Sequence, residues 1–189
     1  MCRSVTLPDA SAASQSLPYV AYLATHDTSY LATLRRWGAA AGTLPEIDAL
    51  AALDRGDRAA AERAARLFPS PDSMRAVSAL FNTMRWVARA EAVDRLGDPR
   101  RAVTFLDVLD PVRLNRASVI DPSLALYARS ILASGTLYEK VGDKAKAVTA
   151  YQRFLDMWRD ADQALDPQRR IARDGLARLG GEVPTEPTR

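Results

Sequence analysis

Apolar and small residues recur at three- and four-residue intervals through most of this 189-residue chain, with polar residues between them. That is the period of one buried face on an α-helix. Tyr30, Leu31, Leu34 and Trp37 make one such stripe, Val77, Leu80, Met84 and Val87 a second, and Leu124, Ala128, Ile131, Gly135 and Tyr138 a third. No alternating strand pattern accompanies them. The same stretches are rich in Ala, Leu and Arg, whose side chains lose little freedom in a helix. The pattern predicts an all-α protein.

Three times the helical pattern breaks at a Gly-Asp pair: Arg55-Gly56-Asp57-Arg58, Leu96-Gly97-Asp98-Pro99 and Val141-Gly142-Asp143-Lys144. Glycine can end a helix in the left-handed conformation, and aspartate can accept hydrogen bonds from the free N–H groups of the next helix. Each pair is followed at matching distances by small or apolar residues: Ala61, Ala65 and Phe68; Ala102, Leu106 and Leu109; Ala147, Tyr151 and Phe154. Helical hairpins follow from this recurrence.

Other boundaries have their own signals. Pro18 starts a short helix through Tyr22 and Leu23, His26 lies in a turn, and Asp27 caps the next helix, which Gly42 ends. Thr43-Leu44-Pro45-Glu46 has capping-box spacing and opens a helix to Arg55. Pro69-Ser70-Pro71 marks a break before a long helix from Asp72 to Leu96. Asp110-Pro111 closes the second hairpin, and Val112 to Ile120 forms a connection. Asp121-Pro122 and Asp166-Pro167 each open a helix, the last one running to Leu179 and ending at Gly180-Gly181. Residues 1–17 are expected as a flexible leader, 18–180 as a single helical domain and 181–189 as a disordered tail.

The third hairpin carries a resemblance. Gly135-x-x-Tyr138, then Gly142-Asp143, then Ala147-x-x-x-Tyr151-x-x-Phe154 resembles a tetratricopeptide repeat (TPR), which has Gly and Tyr in its first helix, a turn, then Ala and an aromatic residue in its second. The first two hairpins place Ala49 and Ala90 at the glycine position and Ala52 and Val93 at the tyrosine position, with longer connections between units. The resemblance implies a TPR-like α-solenoid of antiparallel hairpins, with the charged last helix as its C-terminal cap. Gly142 to Leu179 is also similar to the C-terminal repeat tails of multidomain bacterial signalling proteins, including protein kinases and transcriptional regulators.

Charge and chemistry narrow the function. The sequence pI is near 9.2, yet 26 basic residues face 23 acidic ones for a net charge of +3, and the signs are interleaved. A nucleic-acid binder carries a basic face or stripe instead. Cys2 is the one cysteine and His26 the one histidine, so an intrachain disulfide and a thiolate metal cluster are excluded. No apolar run reaches the roughly 18 to 20 residues needed to cross a bilayer. There is no phosphate loop, zinc-protease helix or nucleophile elbow, and Asp160 and Asp162 read as solvated carboxylates. These features predict a non-catalytic, cytoplasmic protein with no cofactor, metal, nucleic acid or membrane to bind.

Trp37, Trp86 and Trp158 each fall at apolar helical spacing and are expected in packing. In the TPR geometry the groove is formed by the first helix of each pair. Carried onto the second and third hairpins, it places Glu91, Asp94, Arg95, Arg129, Thr136, Glu139 and Lys140 at a groove suited to a peptide or a partner helix. The expected function is a protein-interaction scaffold of bacterial origin. The alternative is a regulatory or structural appendage of a bacterial signalling protein, a kinase or transcriptional regulator, whose groove is filled by its own chain or by another subunit, a homo-oligomer included.

Overall fold

The computed structural model describes residues 18–19, 21–23, 25–38, 44–71, 83–108, 123–159 and 163–182. Its helices are α1 (Ser29–Gly38), α2 (Pro45–Asp54), α3 (Arg58–Ala65), α4 (Thr83–Arg95), α5 (Pro99–Leu106), α6 (Ser123–Val141), α7 (Lys144–Met157) and α8 (Asp166–Leu179). A helical stretch within residues 18–25 precedes α1, and a 3-10 turn at Gln163–Leu165 precedes α8. Among the described residues there is no strand, so the all-α expectation is met.

The three Gly-Asp turns share one hydrogen-bond scheme. Gly56, Gly97 and Gly142 have φ of 77°, 90° and 83°, in the region where a side chain is disfavoured. The glycine N–H donates to the carbonyl three residues back, on Leu53, Asp94 and Glu139. The aspartate N–H donates five residues back, to Ala52, Val93 and Tyr138. Together these satisfy carbonyls that the helix leaves open. The same aspartate then accepts with its carboxylate, from the N–H of Ala60 at 2.9 Å, Arg101 at 3.0 Å and Lys146 at 3.2 Å. One residue therefore closes one helix with its backbone and opens the next with its side chain.

Two variants bracket these turns. Toward the N-terminus His26 takes the left-handed conformation at φ 54°, and Asp27 accepts from the Ser29 N–H at 2.9 Å. Toward the C-terminus Gly180 has φ 66°, and the Gly181 N–H bonds the Leu176 carbonyl. Gly181 stands where the other turns have aspartate, so this turn ends α8 without a carboxylate to open another helix.

The turns fold α2 onto α3, α4 onto α5 and α6 onto α7. The leading helices also meet in order, α2 with α4 and α4 with α6, while α8 packs on both α6 and α7. Ala61, Ala102 and Ala147, five residues after the respective glycines, are each 0% exposed, and their small size brings the paired backbones close. In the third unit the next position shows complementary sizes: Tyr151 lies against Gly135 and Gly175. A hydrophobic cluster under α2 to α5 and a second under α6 to α8 meet at Tyr138, which packs against both.

Two helix starts differ from the sequence expectation. Leu44 is the N-cap of α2 and, having no side-chain acceptor, makes no cap bond; Glu46 turns inward to two arginines instead of back toward the helix start. Leu165, not Asp166, is the N-cap of α8, since the 3-10 turn brings the chain in one residue earlier; Asp166 accepts from Arg169 at 3.1 Å. The expected leader, the residues 183–189 of the expected tail, Gly42, Thr43, Val77, Leu80, the 109–122 connection with its Asp-Pro pairs, Asp160, Asp162 and the Trp37 side chain lie outside the described residues.

Candidate functional site

A ladder of ion pairs crosses the leading helices. Arg95, Lys140 and Arg178 each stand two residues before a positive-φ glycine, Gly97, Gly142 and Gly180. Each reaches back to an acid at the end of the preceding leading helix. Arg95 Nη2 lies 2.8 Å from Asp54 Oδ1, Lys140 Nζ 2.6 Å from Asp94 Oδ2, and Arg178 Nε 2.8 Å from Glu139 Oε1. The repeated turn sets the register, because it fixes how far each helix end projects past its neighbour. Arg178 grips Glu139 through two nitrogens. That fork, against slight burial and helped by the Tyr151 hydroxyl, holds the Glu139 carboxyl below the usual glutamate range. Burial and then the Glu139 carboxylate push the Tyr151 phenol up to about 12.

The N-terminal segment closes over one end of the ladder. Tyr22 donates to Asp54 Oδ2 at 2.6 Å, and burial followed by that hydrogen bond raises its phenol. His26 places Nδ1 3.4 Å from Asp54 Oδ2 and Nε2 2.9 Å from Glu91 Oε1. Arg129 donates through Nη1 to the Leu23 carbonyl and lies 3.4 Å from Glu91 Oε2 through Nη2. Burial works to raise the Asp54 carboxyl, but hydrogen bonds from Tyr22, Arg95 and His26 outweigh it and lower it. The segment's end is thus held by Asp54 on α2, Glu91 on α4 and Arg129 on α6.

Beneath it lies a buried charge cluster. Glu46 is 0% exposed and Arg89 1%. Arg85 Nε meets Glu46 Oε1 at 2.5 Å, Arg89 Nη2 meets Oε2 at 3.4 Å, and the Tyr19 hydroxyl donates to Oε1 at 3.3 Å. Burial lowers Arg85 but its bond to Glu46 prevails and raises it, whereas deeper Arg89 is lowered by burial and by its neighbour's charge. Arg89 also stacks on Trp86 at 5.2 Å and Phe68 at 5.9 Å. Trp86 is core, and Trp158 packs on the second cluster.

Next to the segment, α4, α6 and α8 border a cleft of about 280 Å³. Val87, Ala90, Leu132, Ala133 and Leu137 give it an apolar lining, with Glu91, Asp94, Arg129 and Thr136 among its polar groups. Ile171 at its edge is 47% exposed. A second cavity of about 370 Å³ lies between α5, α6 and α7; Lys146 stands over the Tyr138 ring at 5.1 Å there, and the Tyr138 hydroxyl donates to Asp107.

Of the seven groove residues expected from the sequence, Glu91, Asp94, Arg129 and Thr136 border the cleft. Arg95, Glu139 and Lys140 stand in the ladder. Six of the seven make ion pairs within the chain, and the Thr136 hydroxyl donates to the Leu132 carbonyl. The sequence reading missed Asp54, Arg178 and His26. For Arg178 the basic residue two before a turn glycine, shared with Arg95 and Lys140, was a visible signal; for Asp54 and His26 no local signal points to partners that are remote in sequence. Among the described residues no group of three or more His, Cys, Asp or Glu side chains could hold a metal ion, and no helix is long and apolar enough to cross a membrane. No family model, curated protein or solved structure matches the chain.

Proposed function

We propose that the protein is a non-catalytic interaction module, a TPR-like array whose leading helices receive a peptide or partner helix. The cleft between α4, α6 and α8 carries this reading: an apolar lining with mixed charges beside it suits the apolar face and flanking charges of an amphipathic helix. The ladder supports it by fixing the leading helices relative to one another, so that the surface is preformed. A bacterial cytoplasm is the proposed setting, with neither nucleic acid nor membrane as partner.

The alternative, a regulatory or structural appendage whose groove is filled by its own chain, is favoured by one observation: Tyr22, Leu23 and His26 occupy Asp54, Glu91 and Arg129. Both readings meet in a module whose binding face is partly self-occupied.

The test uses Ile171→Arg, an exposed change at the cleft edge. Affinity capture from source cells with parent and variant, read by mass spectrometry, should yield a polypeptide retained by the parent and lost by the variant at unchanged melting temperature. Identical captures would overturn the placement of the site.

A further inference from the structure

The N-terminal segment meets its surroundings as a ligand meets a receptor. Tyr19 and Tyr22, three residues apart, share one helical face, and both are buried with Leu23. Their hydroxyls go to Glu46 and Asp54. The Leu23 carbonyl belongs to the last turn of the helical stretch, where backbone acceptors lack partners within the helix, and Arg129 of α6 supplies the donor. His26 follows between two carboxylates. Both ring nitrogens of His26 thus face carboxylate oxygens at this end of the receptor. The charged groups facing it are Asp54, Glu91, Arg95 and Arg129, with the Tyr22 phenol alongside.

Two of these receptor groups have a second role. Glu91 and Arg129 also line the cleft, so a helix lying in the cleft reaches the same carboxylate and guanidinium that hold the segment. His26 adds a weak point: it holds a left-handed backbone without being glycine, a conformation that persists only while its surroundings enforce it.

Resting on the interaction-module reading, we propose that the face shared by α2, α4 and α6 is a receptor for the C-terminal turn of an aromatic helix, filled here by Tyr19, Tyr22, Leu23 and His26. The partner is a helix of the same chemistry: two aromatic residues three apart, an adjacent leucine near the helix end, and a nitrogen-bearing side chain just after it that meets the two carboxylates. Partner and resident segment compete for Glu91 and Arg129.

The probe is a fluorescein-labelled peptide of residues 17–28, titrated into the full chain. Tyr22→Ala/His26→Ala, which loosens the resident segment, should bind it at least about tenfold more tightly than the parent. Adding Arg129→Ala should remove that gain. Because the double variant can lose part of the core, a second measurement uses the parent chain, where saturating unlabelled peptide should speed hydrogen exchange at residues 21–26. Equal binding by parent and double variant, or binding indifferent to Arg129→Ala, with unchanged exchange, would overturn the proposal. A parent dimer dissolved by the peptide would assign the face to a second copy and overturn the partner-helix assignment. The Ile171→Arg capture is independent of residues 19–26: if it succeeds while the peptide fails, the module stands and only the ligand chemistry falls.

Discussion

The ring of Tyr151 fills the space that a side chain on Gly135 would occupy: a Cβ built there would lie 2.6 Å from Cε1 of that ring. On the other side Gly175 has the same relation, at 2.4 Å from Cε2. The ring is therefore held between α6 and α8 and cannot yield to either. Gly135→Ala should destabilise the protein by about 1–3 kcal/mol through overpacking, even though alanine is the better helix former. Urea denaturation checks this. Tyr151→Leu added to Gly135→Ala should recover part of the loss; no recovery would show that the ring is not the obstacle.

The turn at Gly142 isolates backbone from packing. A Cβ there meets nothing within 4 Å, so Gly142→Ala acts through its positive φ alone, at about 1–2 kcal/mol. Asp143→Ala should lose about 1 kcal/mol, since it removes the acceptor for the Lys146 N–H. Thermal melts of both variants are the measurement. A Gly142→Ala protein as stable as the parent would mean that the turn opens without consequence for the hairpin.

Much of the local architecture was legible because it is written in short sequence intervals. Glycine followed by aspartate specifies a turn within a few residues, and Ala61, Ala102 and Ala147 keep one distance from it. Long-range pairing was less legible. Glu46 fits a capping box by spacing, yet it is drawn into the core by Arg85 and Arg89 some forty residues later. Periodicity marks such positions as facing inward but does not say which charge they meet. The groove residues were placed by analogy, and their pairing with His26, Asp54 and Arg178 depends on how successive helices stack.

Acid should loosen the fold at the two outer pairs of the ladder. Glu139 and Asp54 both have lowered folded-state pKa values, so their contribution is complete above the ordinary carboxylate range near pH 4 and is lost as pH falls through the folded values. Stability measured by urea should therefore drop from pH 6 to pH 3. Glu139→Gln should be less stable than the parent at pH 6 and lose less on acidification. Parallel curves for the two proteins would show that Glu139 does not carry this dependence.

The ladder should act as a set of modest, salt-sensitive links. Lys140 and Asp94 are partly exposed, at 47% and 24% of their side chains, so a double-mutant cycle with alanine should give a coupling of about 0.2–1 kcal/mol that shrinks in high salt. Lys140→Glu should do worse than Lys140→Ala, because it sets two carboxylates against each other. Equal melting temperatures for those two variants would mean the pair is not formed in solution.

The buried cluster at Glu46 should be the most sensitive electrostatic site. Removing the carboxylate leaves Arg89 buried beside Arg85 with its main counter-charge gone, and breaking a buried ion pair in this way typically costs about 3–5 kcal/mol. Glu46→Leu should therefore destabilise the chain by that order, far more than any break in the exposed ladder. Exchanging both partners should behave differently: Glu46→Leu/Arg89→Leu removes the buried guanidinium along with the carboxylate and keeps an apolar side chain against Trp86 and Phe68. The double variant should regain a large part of the loss, leaving Arg85, which is about one-third exposed, to turn toward water. Urea denaturation of parent, single and double variants measures the difference. If the double variant is no better than Glu46→Leu alone, the deficit comes from lost packing around residue 46 and not from the loss of the Glu46 charge beside Arg89.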